Sequence, residues 1–220
     1  MHDSVNSLIT IQEELKLKSG DKIKRFKIPE IIAVSKTFKI NNILPLIKCG
    51  HLHFGENKVQ EAKEKWDNIK SDFEHLKLHM IGKLQTNKVK QAVSLFDYIH
   101  SLDNFKLAKK ISEEQIKQNK KLKIFIQVNI GNEVNKSGVN TENIESFYKE
   151  CLNLDLDIIG TMCIPPKSKN TNNYFLEMFK INTKINLPDL SMGMSDDYLE
   201  AAKNNSTFLR IGSRIFGERN

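Results

Sequence analysis

Along this chain, short apolar runs alternate with longer segments in which apolar residues recur every three or four positions. The runs at 31–34, 53–55, 78–81, 98–101, 123–128, 156–162, 190–191 and 208–211 read as buried strands. The clearest is KIFIQV at 123–128, dense in β-branched and aromatic residues. Helical spacing predicts helices over 40–49, 86–95, 104–118, 141–152, 174–184 and 195–203, and one through Val59, Ala62 and Trp66. A further amphipathic helix, 5–18, opens the chain, and Pro165 with Pro166 ends the strand at 156–162.

Strands alternating with helices argue for βα units and a parallel sheet. Eight strands are the number that closes a TIM-type (β/α)8 barrel. An open, doubly wound sheet is the alternative, because short strands are easily over-counted. The barrel is favoured by the ends of the chain. About nine residues follow the last strand, too few for a full eighth helix, which leaves the extra N-terminal helix to cover that place. No linker, repeat or low-complexity stretch interrupts 1–220, so one α/β domain is expected.

Composition narrows the function classes. Hydrophobic residues make up 39% and charged residues 28% of the 220, a balance that supports a buried core. The formal charge of +7 comes from lysines spread along the chain, without a run of five or six like charges. That spread reads as a solvated surface and argues against a nucleic-acid partner. Cys49, Cys151 and Cys163 are too few and too far apart for a disulfide scaffold or a cysteine zinc site. There is no apolar stretch of membrane-spanning length and no signal-like opening, so the expected setting is cytoplasmic, with no membrane partner.

The strand ends carry the candidate chemistry, since barrels of this type work at the C-terminal ends of their strands. Lys36 follows the apolar strand IIAVS and would project into a confined mouth. Desolvation there favours the neutral amine that adds to an aldehyde to form a Schiff base. A lysine ending a strand can equally snorkel to water. LSMGMS (190–195) and LRIGSRIFGER (209–219) follow strands seven and eight, where barrels often bind phosphate. Ser191 with Gly193, and Gly212 with Ser213, suit that role, although Gly193 also suits a turn and Ser213 a helix cap. Arg210, within the apolar strand FLRI, either points into the barrel or needs a buried partner. The pair His51–x–His53 lacks the further strand-end ligands that a metal site would need, and no metal is expected. His79 reads as a packed or capping residue.

Taken in order, IIAVSKTF (31–38), HFGENKVQEAKEKW (53–66), HMIGKLQTNKVK (79–90), IHSLDNFKLAKKI (99–111), IFIQVNIGNEVNKSGV (124–139), IIGTMCIPP (158–166), LSMGMSDDYLEAA (190–202) and STFLRIGSRIFGER (206–219) resemble the pyridoxal phosphate homeostasis protein family. The departures are small: Lys83 follows Gly82 where proline is common, and Thr86 stands where serine is common. The resemblance implies a barrel like the alanine racemase N-terminal domain, monomeric or weakly associated, with pyridoxal 5′-phosphate in a Schiff base on Lys36. It also implies that Ser191, Gly212 and Ser213 hold the phosphate, that Asn57 of FGEN lies beside the ring, and that Arg210 faces the pyridine nitrogen. The implied role is cofactor buffering or delivery without turnover, with apo forms of pyridoxal-phosphate enzymes as candidate recipients. A weak amino-acid racemase is the alternative.

Overall fold

The computed structural model describes residues 2–19, 28–166 and 171–218. Helix α1 (Asp3–Ser19) precedes the first strand. The strands are β1 (Glu30–Val34), β2 (His53–Glu56), β3 (Lys77–Met80), β4 (Tyr98–Leu102), β5 (Lys123–Asn129), β6 (Val139–Asn140), β7 (Asp157–Cys163), β8 (Asp189–Ser191) and β9 (Phe208–Ile211). Between them lie α2 (Ile40–Lys48), α3 (Val59–Trp66), α4 (Val89–Leu95), α5 (Phe105–Gln118), α6 (Ile144–Leu152), α7 (Thr171–Lys184) and α8 (Tyr198–Lys203), and α9 (Ser213–Phe216) follows β9. Single 3-10 turns, Thr86–Lys88 and Thr141–Asn143, lead into α4 and α6. Helix α5 shows the local logic. Asn104 accepts the Leu107 N–H at 2.9 Å as N-cap, Asn119 ends the helix in the left-handed conformation, and Leu107, Ala108 and Ile111 face inward. The last residue of the final family motif, Arg219, lies outside the described residues.

Parallel pairing runs β4-β3-β2-β1-β9-β8-β7-β5, and β4 also pairs with β5, so the ring of eight strands has no edge. The barrel expectation holds and the open-sheet alternative does not. One strand was not expected. The two-residue β6 lies outside the ring and pairs with the end of β5, Val139 opposite Val128. Its surroundings, NKSGVN, read as loop, and only the neighbouring strand makes it extended. Helix α1 packs against α2, α8 and α9, in the place of an eighth helix. Its buried stripe is Val5, Leu8, Ile11 and Leu15. On its polar side, the Glu14 carboxylate accepts from the Tyr198 hydroxyl and from Arg214 Nη2. Among the described residues no helix is long and apolar enough to cross a membrane.

Side chains alternate between two cores along each strand. Ala33, Phe54, Leu78, Ile99, Ile126 and Leu209 face the helices, whereas Ile32, Tyr98, Phe125, Met162 and Phe208 fill the barrel. Three histidines share that interior. The His79 ring stacks on Tyr98 with centroids 4.1 Å apart, and His100 stacks on Phe125 at 4.3 Å. Aromatic carbon thus covers the ring faces and leaves the nitrogens to find partners edge-on. Burial holds the imidazoles of His79 and His100 well below the ordinary range and lowers that of His53. His51 is pushed down to about 4, again chiefly by burial.

Two predictions follow from this packing. Ile11→Ala empties a fully buried position between α1 and the barrel, and urea unfolding is expected to show a loss of about 2–5 kcal/mol. The four lowered histidines set a pH dependence. Below their ordinary value of 6.5 the unfolded chain binds protons that the folded chain refuses. Stability therefore falls as the pH drops from about 6.5, and above that value these groups add no slope. Urea midpoints taken from about pH 7.5 down to 5.5 should decline, with a shallower decline in His51→Gln.

Candidate functional site

Lys36 sits just past the end of β1, and contacts fix the chain on both sides of it, buried before it and exposed after it. Before it, the Ser35 hydroxyl donates to Glu56 Oε1 at 2.7 Å. The same oxygen accepts from Lys65 Nζ at 2.9 Å and from Trp66 Nε1 at 3.0 Å, while Lys65 Nζ also donates to the Ser35 carbonyl at 2.7 Å. Both ends of the Lys65–Glu56 pair are enclosed, with side-chain exposures of 8% and 0%. After it, Thr37 adopts φ 69°, a left-handed conformation that costs a β-branched residue on the order of 1–3 kcal/mol. The Thr37 N–H donates to the Glu61 carboxylate, which holds the turn. Glu56, Glu61, Lys65 and Trp66 all come from the segment FGENKVQEAKEKW, so β2 and α3 together position the lysine.

The half-buried Lys36 opens into a cavity of about 270 Å³ at the C-terminal ends of the strands. Asn57, Arg210, Gly212 and Ser213 also line it, as do Ser195, Asp196 and the apolar Val34, Ile81, Ile164 and Met194. The volume is close to the ~300 Å³ lower bound for small-ligand sites. Asn57 is brought in by a close backbone approach. A Cβ on Gly82 would lie 2.2 Å from the Asn57 carbonyl oxygen, so glycine is required there. Elsewhere on the lining, the Gly212 and Arg214 N–H groups both donate to Ser195 Oγ at 3.3 Å. With the Ser213 hydroxyl, these groups form a small cluster of donors suited to an anion. Phe38 stacks on Phe216 at 4.7 Å and ties this wall to the loop after β1.

Arg210 is 4% exposed and meets the buried-partner expectation with two neutral oxygens. Nη1 donates to Ser191 Oγ at 2.7 Å and Nη2 to the Cys163 carbonyl at 2.8 Å. Among the described residues no carboxylate lies within ion-pair distance of it. Half-buried Asp197 acts on it through space without contact, and the guanidinium remains the fixed cation of the cavity floor.

Five of the six expected residues, Lys36, Asn57, Arg210, Gly212 and Ser213, line one cavity. Ser191 does not. It is fully buried below the floor, where its hydroxyl serves Arg210 and His100. The reason is the turn at Gly193, φ +92°, which leaves Ser191 in the strand and carries Ser195 to the mouth. Both serines lie in LSMGMS, and pattern alone did not distinguish them. The Glu56–Lys65 pair was also missed, since a charged pair in FGENKVQEAKEK looks like an exposed helix face. His51 and His53 do not converge. His51 Nε2 faces the His53 carbonyl at 2.9 Å, and His53 Nδ1 turns to His79. A larger cavity of about 570 Å³ lies at the opposite end, between α1, β1 and β2, away from these strand ends.

Removing the carboxylate under Lys36 should be costly. Glu56→Ala leaves the enclosed Lys65 with only the more distant Glu61 carboxylate, 3.9 Å away, and chemical denaturation is expected to show a loss of about 3 kcal/mol. Lys65→Met added to that variant should recover part of the loss.

Residues 21–220 match the family described as alanine racemase, N-terminal domain. The pyridoxal phosphate homeostasis protein of Haemophilus influenzae is 35% identical, covering 98% of this chain and 95% of its own. The protein of the same name from Helicobacter pylori is 38% identical, covering 97% of each. Among solved structures, PipY of Synechococcus elongatus with PLP bound superposes with a TM-score of 0.85 at 28% identity, covering 97% of this chain and all of PipY. Alanine racemase of Clostridium difficile shares the fold, with a TM-score of 0.76 at 13% identity, and this chain spans 57% of its length. By these matches along nearly its whole length, the chain belongs to the pyridoxal phosphate homeostasis protein family.

Proposed function

We propose that this protein binds pyridoxal 5′-phosphate through Lys36 and holds it for intracellular supply without turning over an amino acid. The observation that carries this reading is the convergence on one cavity of a lysine on a pinned backbone, a cluster of anion donors and an arginine whose direct partners are neutral oxygens. The residues present fit that group. Ser195, Ser213 and the backbone at Gly212 would hold the phosphate, Asn57 and Arg210 would face the polar ring atoms, and Ile81, Ile164 and Met194 offer apolar contact. When bound, the cofactor supplies an aldehyde. Lys36 is the residue that would hold that aldehyde, as a reversible Schiff base. In this reading Ser191 acts one layer down, as the partner of Arg210, and does not touch phosphate.

The carrier reading rests on the floor and walls. A guanidinium keeps its proton in proteins, so Arg210 offers a ring nitrogen a hydrogen bond and no proton. That weakens the ring as an electron sink. Among the described lining residues, the groups able to exchange a proton with a substrate are Lys36 and Asp196, and Asp196 is exposed. The cavity is lined from one barrel, so this reading needs no second subunit. A cytoplasmic setting suits three unpaired thiols, of which Cys151 and Cys163 are buried. Apo forms of pyridoxal-phosphate enzymes are the recipients such a carrier would serve.

The test is an absorption spectrum with pyridoxal phosphate, then borohydride reduction and peptide mapping. A visible band with the reduced adduct on Lys36, both lost in Lys36→Ala, is expected. Adducts scattered over surface lysines would overturn the binding site. Sustained racemisation of alanine that disappears in Lys36→Ala would overturn the carrier role.

A further inference from the structure

From Arg210 an unbroken line of hydrogen bonds crosses the barrel interior. Arg210 Nη1 donates to Ser191 Oγ at 2.7 Å, and Ser191 Oγ lies 2.9 Å from His100 Nδ1. His100 Nε2 lies 2.9 Å from His79 Nδ1, and His79 Nε2 lies 2.9 Å from His53 Nδ1. Five residues on β9, β8, β4, β3 and β2 are thereby joined. One end lines the cavity of Lys36, and the other, half-buried His53, lines the larger cavity at the opposite mouth.

The chemistry of the Arg210 end fixes the direction of every bond. A guanidinium has no acceptor, so Ser191 Oγ must accept from Arg210. Among the described residues the Ser191 hydroxyl has one other neighbour at hydrogen-bond distance, His100, and it satisfies its own proton by donating to Nδ1. Each neutral imidazole then accepts at Nδ1 and donates at Nε2, and all three rings carry their proton on Nε2. The opposite polarity would make Ser191 accept twice and strand a buried hydroxyl proton. A second proton on any ring would set two donors face to face. Burial reinforces the neutral forms, and the Arg210 charge further lowers His100.

We propose that His100, His79 and His53 are positioning residues for Arg210, forming a polarised strut that fixes its guanidinium at the floor of the cofactor cavity. The line ends on a group that accepts no proton, so it orients rather than conducts. Its functional consequence rests on the pyridoxal phosphate reading, whereas its polarity does not.

Two measurements separate these. Nitrogen-15 NMR of the protein without pyridoxal phosphate should show all three rings neutral at pH 7 with the proton on Nε2. A proton on Nδ1 of His100, or a doubly protonated ring in the line, overturns the strut. With pyridoxal phosphate loaded, His100→Leu should keep the reduced adduct on Lys36 but release the cofactor about 10- to 100-fold faster, the range expected when Ser191, released from His100, no longer holds its hydrogen bond to the Arg210 charge. Its absorption maximum should also shift. His100→Gln, whose amide both accepts and donates, should restore both readouts to within about threefold of the parent. Unchanged release and spectrum in His100→Leu would leave the histidines a purely structural role. If that variant does not fold, His79→Gln and the NMR of the parent decide. If the parent forms no adduct on Lys36, the binding reading fails while the NMR result stands.

Discussion

Closing eight parallel strands into a ring creates an interior that water reaches only from its two ends, and that constraint governs the rest of this molecule. Every side chain that points inward must be apolar, paired or placed at a mouth. Tyr98, Phe125, Met162 and Phe208 meet the first condition. Lys36 meets the last. Arg210 and the histidines meet the second, in a line whose members each satisfy a neighbour. The seam between β4 and β5 therefore underlies the site as well as the fold, because His100 stands on one of those strands and its stacking partner Phe125 on the other.

The two basic residues of the cavity are held by different means. Lys36 follows a strand, and the structure fixes its backbone through Ser35, Glu56, Lys65 and the strained Thr37. Arg210 lies within a strand, and its head group is fixed by Ser191 and the Cys163 carbonyl. An amine on a firm base beside a fixed cation is the arrangement on which the proposed capture of an anionic aldehyde rests. Neutral oxygens as arginine partners keep the positive charge available to a ligand, which a buried carboxylate would cancel.

Much of this was legible from residue order. Period and turn chemistry located the barrel strands to within a residue or two, because buried parallel strands are continuous apolar runs. The amphipathic opening helix was legible too, and its buried stripe proves to be Val5, Leu8, Ile11 and Leu15. Lys36 was legible because position at a strand end is a sequence property. Strand β6 was not, since two residues carry no periodic signal and their extended form comes from pairing with β5.

By itself, then, the sequence determined the number and order of the βα units, the lysine at the mouth and the loops that surround it, because these depend on local pattern. Tertiary structure alone decided which polar side chains meet. Ser191 turned inward and Ser195 outward because Gly193 bends the chain between them. His53, His79 and His100 look unrelated along the chain, and only ring closure stacks their strands so that the nitrogens fall 2.9 Å apart. Spacing within one strand says which face a residue occupies. Which neighbour it finds there depends on strand register and barrel closure, and both are set by contacts distant in sequence.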